Sequence, residues 1–197
     1  MPARLTRSEQ VERNRALLLE AAREVFLEAG YVGATVDAIA ERAGFSTGVV
    51  YSQFGGKPEL FLALIERRIN ERADEHERAT EGLSGPAVIH ALIAASAADA
   101  KREPQWTRVL IEFRAIAARD PELNRRYAAL HATTVDRLAS VMARTTRSKK
   151  AADMTTSAQL FLATGTGLAL ERVVNPAAVP ENEAIRALCR LFGVAAP

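Results

Sequence analysis

Apolar residues recur at intervals of three and four along most of the chain, and no run shows sustained alternation of apolar and polar positions. Helical side chains return to one face every 3.6 residues, so the pattern predicts an all-α fold. Thr6-Arg7-Ser8-Glu9 has the form of a capping box. Behind it Leu18, Ala21, Ala22, Val25, Phe26 and Ala29 line one face of a long first helix that Gly30 ends. Val36, Ile39, Ala40 and Ala43 predict a short second helix capped by Thr35. Gly44 then supplies a residue that tolerates positive φ at a sharp turn, and Ser46 can cap a third helix whose Val50 and Phe54 face inward.

From Lys57 to about Arg78 the spacing predicts a fourth helix, apolar in its first half (Leu60, Phe61, Leu64, Ile65) and highly charged in its second, where the charges read as a solvated face. Gly82 to Pro86 breaks the chain. Further breaks at Glu103-Pro104, Asp120-Pro121, Arg147 to Asp153 and Asn175 to Pro180 place helices near 86–101, 104–118, 121–146, 154–174 and 181–193. That makes about nine helices in total. Trp106, Val109, Leu110, Phe113 and Ile116 fit one apolar stripe, and Leu123, Tyr127, Leu130, Leu138, Val141 and Met142 another.

The third helix carries the candidate chemistry. With Val50 and Phe54 turned inward, Gly48, Val49 and Ser52 point outward and Thr47, Tyr51 and Gln53 lie on the flanks. A DNA major groove about 12 Å wide admits one such helix, whose small polar residues can reach base edges while longer neighbours touch phosphate. Tyr51 offers a phenolic hydroxyl, and Lys57 sits in the first turn of the next helix, where its charge and the helix dipole both attract an anion.

Over Arg15 to Leu64 the order of residues closely resembles the N-terminal domain of the TetR/AcrR family of transcriptional regulators, in Ala21-Ala22, Phe26, Gly30-Tyr31, Thr35-Val36, Ile39-Ala40, Ala43-Gly44, Tyr51, Phe54 and Lys57. The resemblance implies phosphate contacts at Thr35, Tyr51 and Lys57. It places Thr47, Gly48, Ser52 and Gln53 on the DNA-reading surface, beside Ser46 and Val49. Val49 stands where the family often has Thr, Gln53 where it often has His, and Gly56 where Ser or Asn often caps the fourth helix; these departures put the operator sequence in question, not the act of binding. The implied architecture is a three-helix helix-turn-helix DNA-binding domain over residues 1–56, followed by a helical effector-binding and dimerisation domain over 57–197.

Composition changes this picture little. Net charge is +2, and residues 1–57 carry seven Lys+Arg against seven Asp+Glu, so position rather than balance must attract nucleic acid. Arg4, Arg7, Arg13 and Arg15 form a basic arm of the kind that adds phosphate or minor-groove contacts, or else a solvated tail. A single cysteine, Cys189, excludes an internal disulfide, and neither an export signal nor a run of the ~20 apolar residues that span a bilayer is evident. A cytoplasmic protein that contacts no membrane is expected.

The resemblance also implies that the C-terminal region binds a small, largely apolar effector and pairs two chains through its last two long helices. Gly165 and Gly167 with Phe161, Leu168 and Leu170, and then Ile185, Leu188, Cys189 and Phe192, suit such a homodimer seam, or a core within one chain. Trp106, Phe113, Tyr127, His131 and Phe161 are the candidate pocket walls, being bulky apolar groups with a few polar tips. No dinucleotide fingerprint, HExxH or cysteine set is present, and no catalytic residue, cofactor or metal is expected. The competing expectation is a helical ligand-binding or interaction protein that keeps the helix-turn-helix as a scaffold without binding DNA.

Overall fold

A computed structural model describes residues 6–145, 154–175, 177 and 179–195. The predicted break at Arg147 to Asp153, and Arg4 of the basic arm, lie outside them. Among the described residues the fold is entirely helical: α1 Arg7–Gly33, α2 Val36–Ala43, α3 Thr47–Phe54, α4 Lys57–Ala79, α5 Pro86–Arg102, α6 Gln105–Ala117, α7 Pro121–Met142, α8 Thr155–Val174 and α9 Glu181–Leu191. A short 3-10 turn, Ala143–Thr145, follows α7.

The capping box opens α1 as the sequence predicts. Thr6 Oγ1 accepts from the Glu9 N–H at 3.2 Å, and the Glu9 carboxylate accepts from the Thr6 N–H at 2.7 Å. Gly30, at φ 75° and ψ 172°, breaks the helix, and one further turn carries Tyr31 inward before the chain turns into α2. Ala29 is exposed and Tyr31 takes its place in the core, because that break rotates the last turn away from the stripe of α1.

The chain divides into two compact units. The first runs up to Arg68 and includes Val109–Asn124. Its centre is aromatic: Phe26, Tyr31, Phe61 and Phe113, with Phe26–Phe61 and Phe61–Phe113 centroids both 4.8 Å apart and Tyr31–Phe113 5.1 Å apart. Edge-on and tilted rings at such distances add to the apolar area they remove from water. Ile39, Val50 and Phe54, expected to fasten the short helices, are buried here too.

The second unit comprises Ile69–Arg108 and the chain from Arg125 onward. Its core gathers Val88, Ile89, Leu92 and Ile93 of α5, Val135, Leu138, Ala139, Val141 and Met142 of α7, Ala158 and Phe161 of α8, and Cys189 of α9. Ile185, Leu188 and Phe192, which suit a seam between chains or a core within one, are partly buried against this cluster, and Phe161 and Phe192 meet with centroids 5.5 Å apart. On α6 the buried positions are Val109, Phe113 and Ala117, whereas Ile116, one residue off that stripe, is exposed.

Candidate DNA interface

The backbone around α3 is set by its two ends. Thr35, in extended conformation before α2, accepts from the Ala38 N–H at 3.1 Å and leaves the rest of its exposed hydroxyl to solvent. Gly44 adopts the left-handed conformation (φ 73°, ψ 30°) and ends α2, and Phe45 N–H closes the turn on the Ala40 carbonyl at 2.9 Å. Ser46 occupies the cap position of α3 without a side-chain capping hydrogen bond, so its exposed hydroxyl is not used as the sequence suggested. Gly55, at φ 89°, ends α3 after eight residues.

Val50 and Phe54 anchor α3 from within. Gly48, Tyr51 and Ser52 are exposed, while Thr47, Val49 and Gln53 are half-buried. Tyr51 leaves 56% of its surface to solvent, so both its ring and its hydroxyl are accessible. Ser52 Oγ donates back to the Val49 carbonyl at 2.9 Å and retains its acceptor side.

Two features escaped sequence reasoning. Arg15, grouped with the basic arm, is directed at α3: its guanidinium donates to the Gln53 carbonyl at 3.4 Å and lies 4.3 Å from the Phe54 ring centroid. It therefore holds the C-terminal end of α3, where cations are favoured, instead of reaching outward. Arg42 of α2 donates to Glu24 at 3.0 Å and to Glu28 at 2.9 Å, tying α2 to α1 on the outside. No local pattern flags either, because the partners lie 38 residues apart in the first case and 14 to 18 in the second.

Lys57 is held more closely than a solvated cation. Its ammonium donates to the Val32 carbonyl at 3.2 Å and sits 4.7 Å from the centroid of the Tyr31 ring. Burial lowers its pKa, with the nearby Glu112 charge opposing the shift. The same burial, assisted by Glu59, pushes the Tyr31 phenol up to about 12.

The candidate pocket residues fall in both compact units, Phe113 in the first and Trp106, Tyr127, His131 and Phe161 in the second. Phe113 belongs to the aromatic centre of the first unit and is fully buried there. Phe161 is part of the second unit's core. Tyr127 and His131, one turn apart on α7, stack with centroids 6.0 Å apart, and Trp106 is half-buried near the start of α6. Among the described residues no three His, Cys, Asp or Glu side chains are placed to hold a metal ion, and no helix is long and apolar enough to cross a membrane.

A short helix stopped by left-handed glycines at both of its turns, braced from within by Val50 and Phe54 and presenting small polar groups outward, defines a helix-turn-helix regulator. Residues 18–64 match the family described as bacterial regulatory proteins, tetR family, and residues 87–193 match the BetI-type transcriptional repressor, C-terminal. The chain belongs to the TetR family of transcriptional regulators, which are not enzymes.

Among its relatives, the HTH-type transcriptional repressor Rv1474c of Mycobacterium tuberculosis is 33% identical over 128 residues, covering 63% of this chain and 64% of that one. A transcriptional regulator from Rhodococcus sp. Rha1 is similar in structure, with a TM-score of 0.71 and 26% identity over 91% of this chain and 94% of that one. FadR from Bacillus subtilis, in complex with stearoyl-CoA, shares the fold at a TM-score of 0.65 and 16% identity, covering 88% of this chain and 96% of that one. The chain spans less than two thirds of the length of the curated relatives it matches.

Proposed function

We propose that the chain is a ligand-responsive transcriptional repressor acting on DNA as a homodimer in the cytoplasm. Residues 1–56 carry the DNA-binding function, and residues 57–197 bind the effector and the second subunit. The observation that carries this reading is the outward face of α3, where the exposed Tyr51, Ser52 and Gly48 stand beside Thr47 and Gln53 on a helix fixed from within. Two such helices would enter successive major grooves of a roughly palindromic operator, about 34 to 36 Å apart. Val49 suits a thymine methyl and Gln53 an adenine edge, while Thr35, Tyr51 and Lys57 would contact the flanking phosphates.

Pairing of two chains is supported by exposed apolar side chains on α8 and α9, namely Leu160, Leu170, Val173, Val174 and Leu191. A Cβ built on Gly165 or Gly167 would meet nothing within 4 Å in the single chain, which leaves room for a partner backbone. For the effector, Trp106, Tyr127 and His131 of the second unit remain the candidate walls, Phe113 and Phe161 being core side chains of the first and second units. A largely apolar molecule fits them, and the acyl chain of the stearoyl-CoA held by FadR of Bacillus subtilis is an apolar group of that kind. Its binding would shift the population of dimers toward a spacing of DNA-reading helices that no longer matches the operator.

The test is retardation of native promoter fragments, including the one upstream of the chain's own coding region, at low ionic strength. Binding should weaken in Tyr51→Ala and Lys57→Ala across sequences, the latter with a salt slope shallower by about 0.9 for each phosphate no longer neutralised. Failure to retard any fragment would refute the proposal, and unchanged affinity in both variants would favour the scaffold that does not read DNA.

A further inference from the structure

The backbone of Val32 is gripped on both of its polar groups. Its N–H donates to the Glu112 carboxylate of α6 at 3.1 Å, and its carbonyl accepts from the Lys57 ammonium of α4 at 3.2 Å. The carboxylate is seated closely: a Cβ on Gly30 would lie 2.7 Å from Glu112 Oε2, so it occupies space that any other residue at 30 would fill. Phe113, the next residue on α6, is locked between Tyr31 and Phe61, which fixes the helix that presents Glu112. All of these groups belong to the first compact unit.

We infer that Glu112 is a positioning residue that restrains Lys57, so that α6 and a DNA phosphate compete for one ammonium. The inference rests on the reading of Lys57 as a phosphate contact. A carbonyl acceptor, an aromatic face and the Glu112 charge compensate part of the cost of burying this ammonium where it lies. To reach a phosphate it must give up part of that compensation, so the resting arrangement weakens DNA binding by the amount with which Glu112 holds it.

Glu112→Gln is the discriminating change, since the amide oxygen can still accept from the Val32 N–H while the charge acting on Lys57 is gone. On a mixed-sequence 30-base-pair duplex at low salt, the variant should bind about two- to fivefold tighter, as expected for loss of one partly exposed charge interaction. The gain should vanish in a Lys57→Met background, where no ammonium remains to be released. A variant that binds no tighter, or a gain that survives in the Lys57→Met background, overturns the inference. Lys57→Met with unchanged affinity and salt slope would also sink it, and in that distinct way would remove the phosphate contact itself. Acetylation of the native protein, read by mass spectrometry without DNA, gives a second measure: Lys57 should react faster relative to Lys101 in Glu112→Gln, and equal ratios would count against the restraint.

Discussion

Gly30→Ala should be among the most damaging small changes available in this chain, for two separable reasons. The backbone at Gly30 has φ 75° and ψ 172°, a combination open essentially to glycine alone, and forcing an L-residue there costs about 1 to 3 kcal/mol. The new Cβ would also stand 2.7 Å from the Glu112 carboxylate, which must retreat and weaken its 3.1 Å bond to the Val32 N–H. A hydrogen bond to a charged group contributes about 1.5 to 3 kcal/mol, less where water can replace it, as at the exposed Val32. Together these effects should destabilise the fold by about 2 to 5 kcal/mol. Gly44→Ala is the internal control: φ is 73° there too, but no heavy atom lies within 4 Å of the built Cβ, so only a left-handed penalty of about 1 to 2 kcal/mol applies. Thermal unfolding by circular dichroism at fixed protein concentration should show Gly30→Ala melting well below Gly44→Ala, at about 2 to 4 °C per kcal/mol for a chain of this size. Adding Glu112→Ala to Gly30→Ala should then recover part of the loss relative to additivity. Equal melting temperatures for the two glycine variants would refute the crowding by Glu112.

The remaining expectations separate stability from DNA affinity. Thr35→Asp keeps a good cap for the Ala38 N–H and should melt at or above wild type, yet its charge should weaken DNA binding about fivefold by repulsion near phosphate; unchanged affinity would remove Thr35 from the interface. Tyr51→Phe should leave stability untouched, since the ring is 56% exposed, while the missing hydrogen bond to phosphate weakens binding about tenfold or more, and equal retardation by both proteins would contradict the assignment. His76 has its pKa pushed down to about 4, chiefly by burial and then by Arg72, against an opposing pull from Asp99. The folded state therefore binds the proton less readily than the unfolded chain: this contribution is intact above about pH 6.5 and is lost as pH falls toward 4, at about 1.4 kcal/mol per pH unit. Urea titrations from pH 7 to 5 should show that loss reduced in His76→Gln, and parallel curves would refute it.

The helices and their stops were legible because the signals are local. A capping box, glycines at φ above zero and apolar intervals of three and four each report on a few neighbouring residues, and Thr6, Gly44, Val50 and Phe54 all sit where those intervals place them. Which of two partners an apolar face meets is not a local property. Ile185, Leu188 and Phe192 have the spacing of a seam between chains or of a core within one, and they are partly buried against the second unit's core, while Leu160, Leu170, Val173, Val174 and Leu191 of α8 and α9 are exposed. Periodicity alone cannot choose between these, because both uses demand the same stripe. The same limit explains Phe113: an aromatic residue on α6 looks alike whether it walls a pocket or fills the space between Tyr31 and Phe61.

The second half of α4 shows why charge is harder to read than apolarity. Arg72, Glu75 and His76 fall in a run that by composition belongs in water, but His76 is 7% exposed and Asp99 of α5 is 8% exposed. Arg72 pairs with Asp99 and donates to Ser96 Oγ at 3.3 Å, and Arg102 bridges Asp99 and Glu75 at 2.8 Å each. The partners lie on α5, 24 to 27 residues further along, where nothing in the α4 pattern points. Burying such groups gains little net stability, because the desolvation of each charge offsets most of the attraction to its partner. What the network does impose is register: sliding α4 along α5 by one turn would leave the buried Asp99 without the half-buried Arg72, a penalty that an apolar seam would not carry. The helix that begins with Lys57 is thus held by constraints of different chemistry, the apolar Leu60, Phe61 and Leu64 in the first unit and charge against α5 in the second.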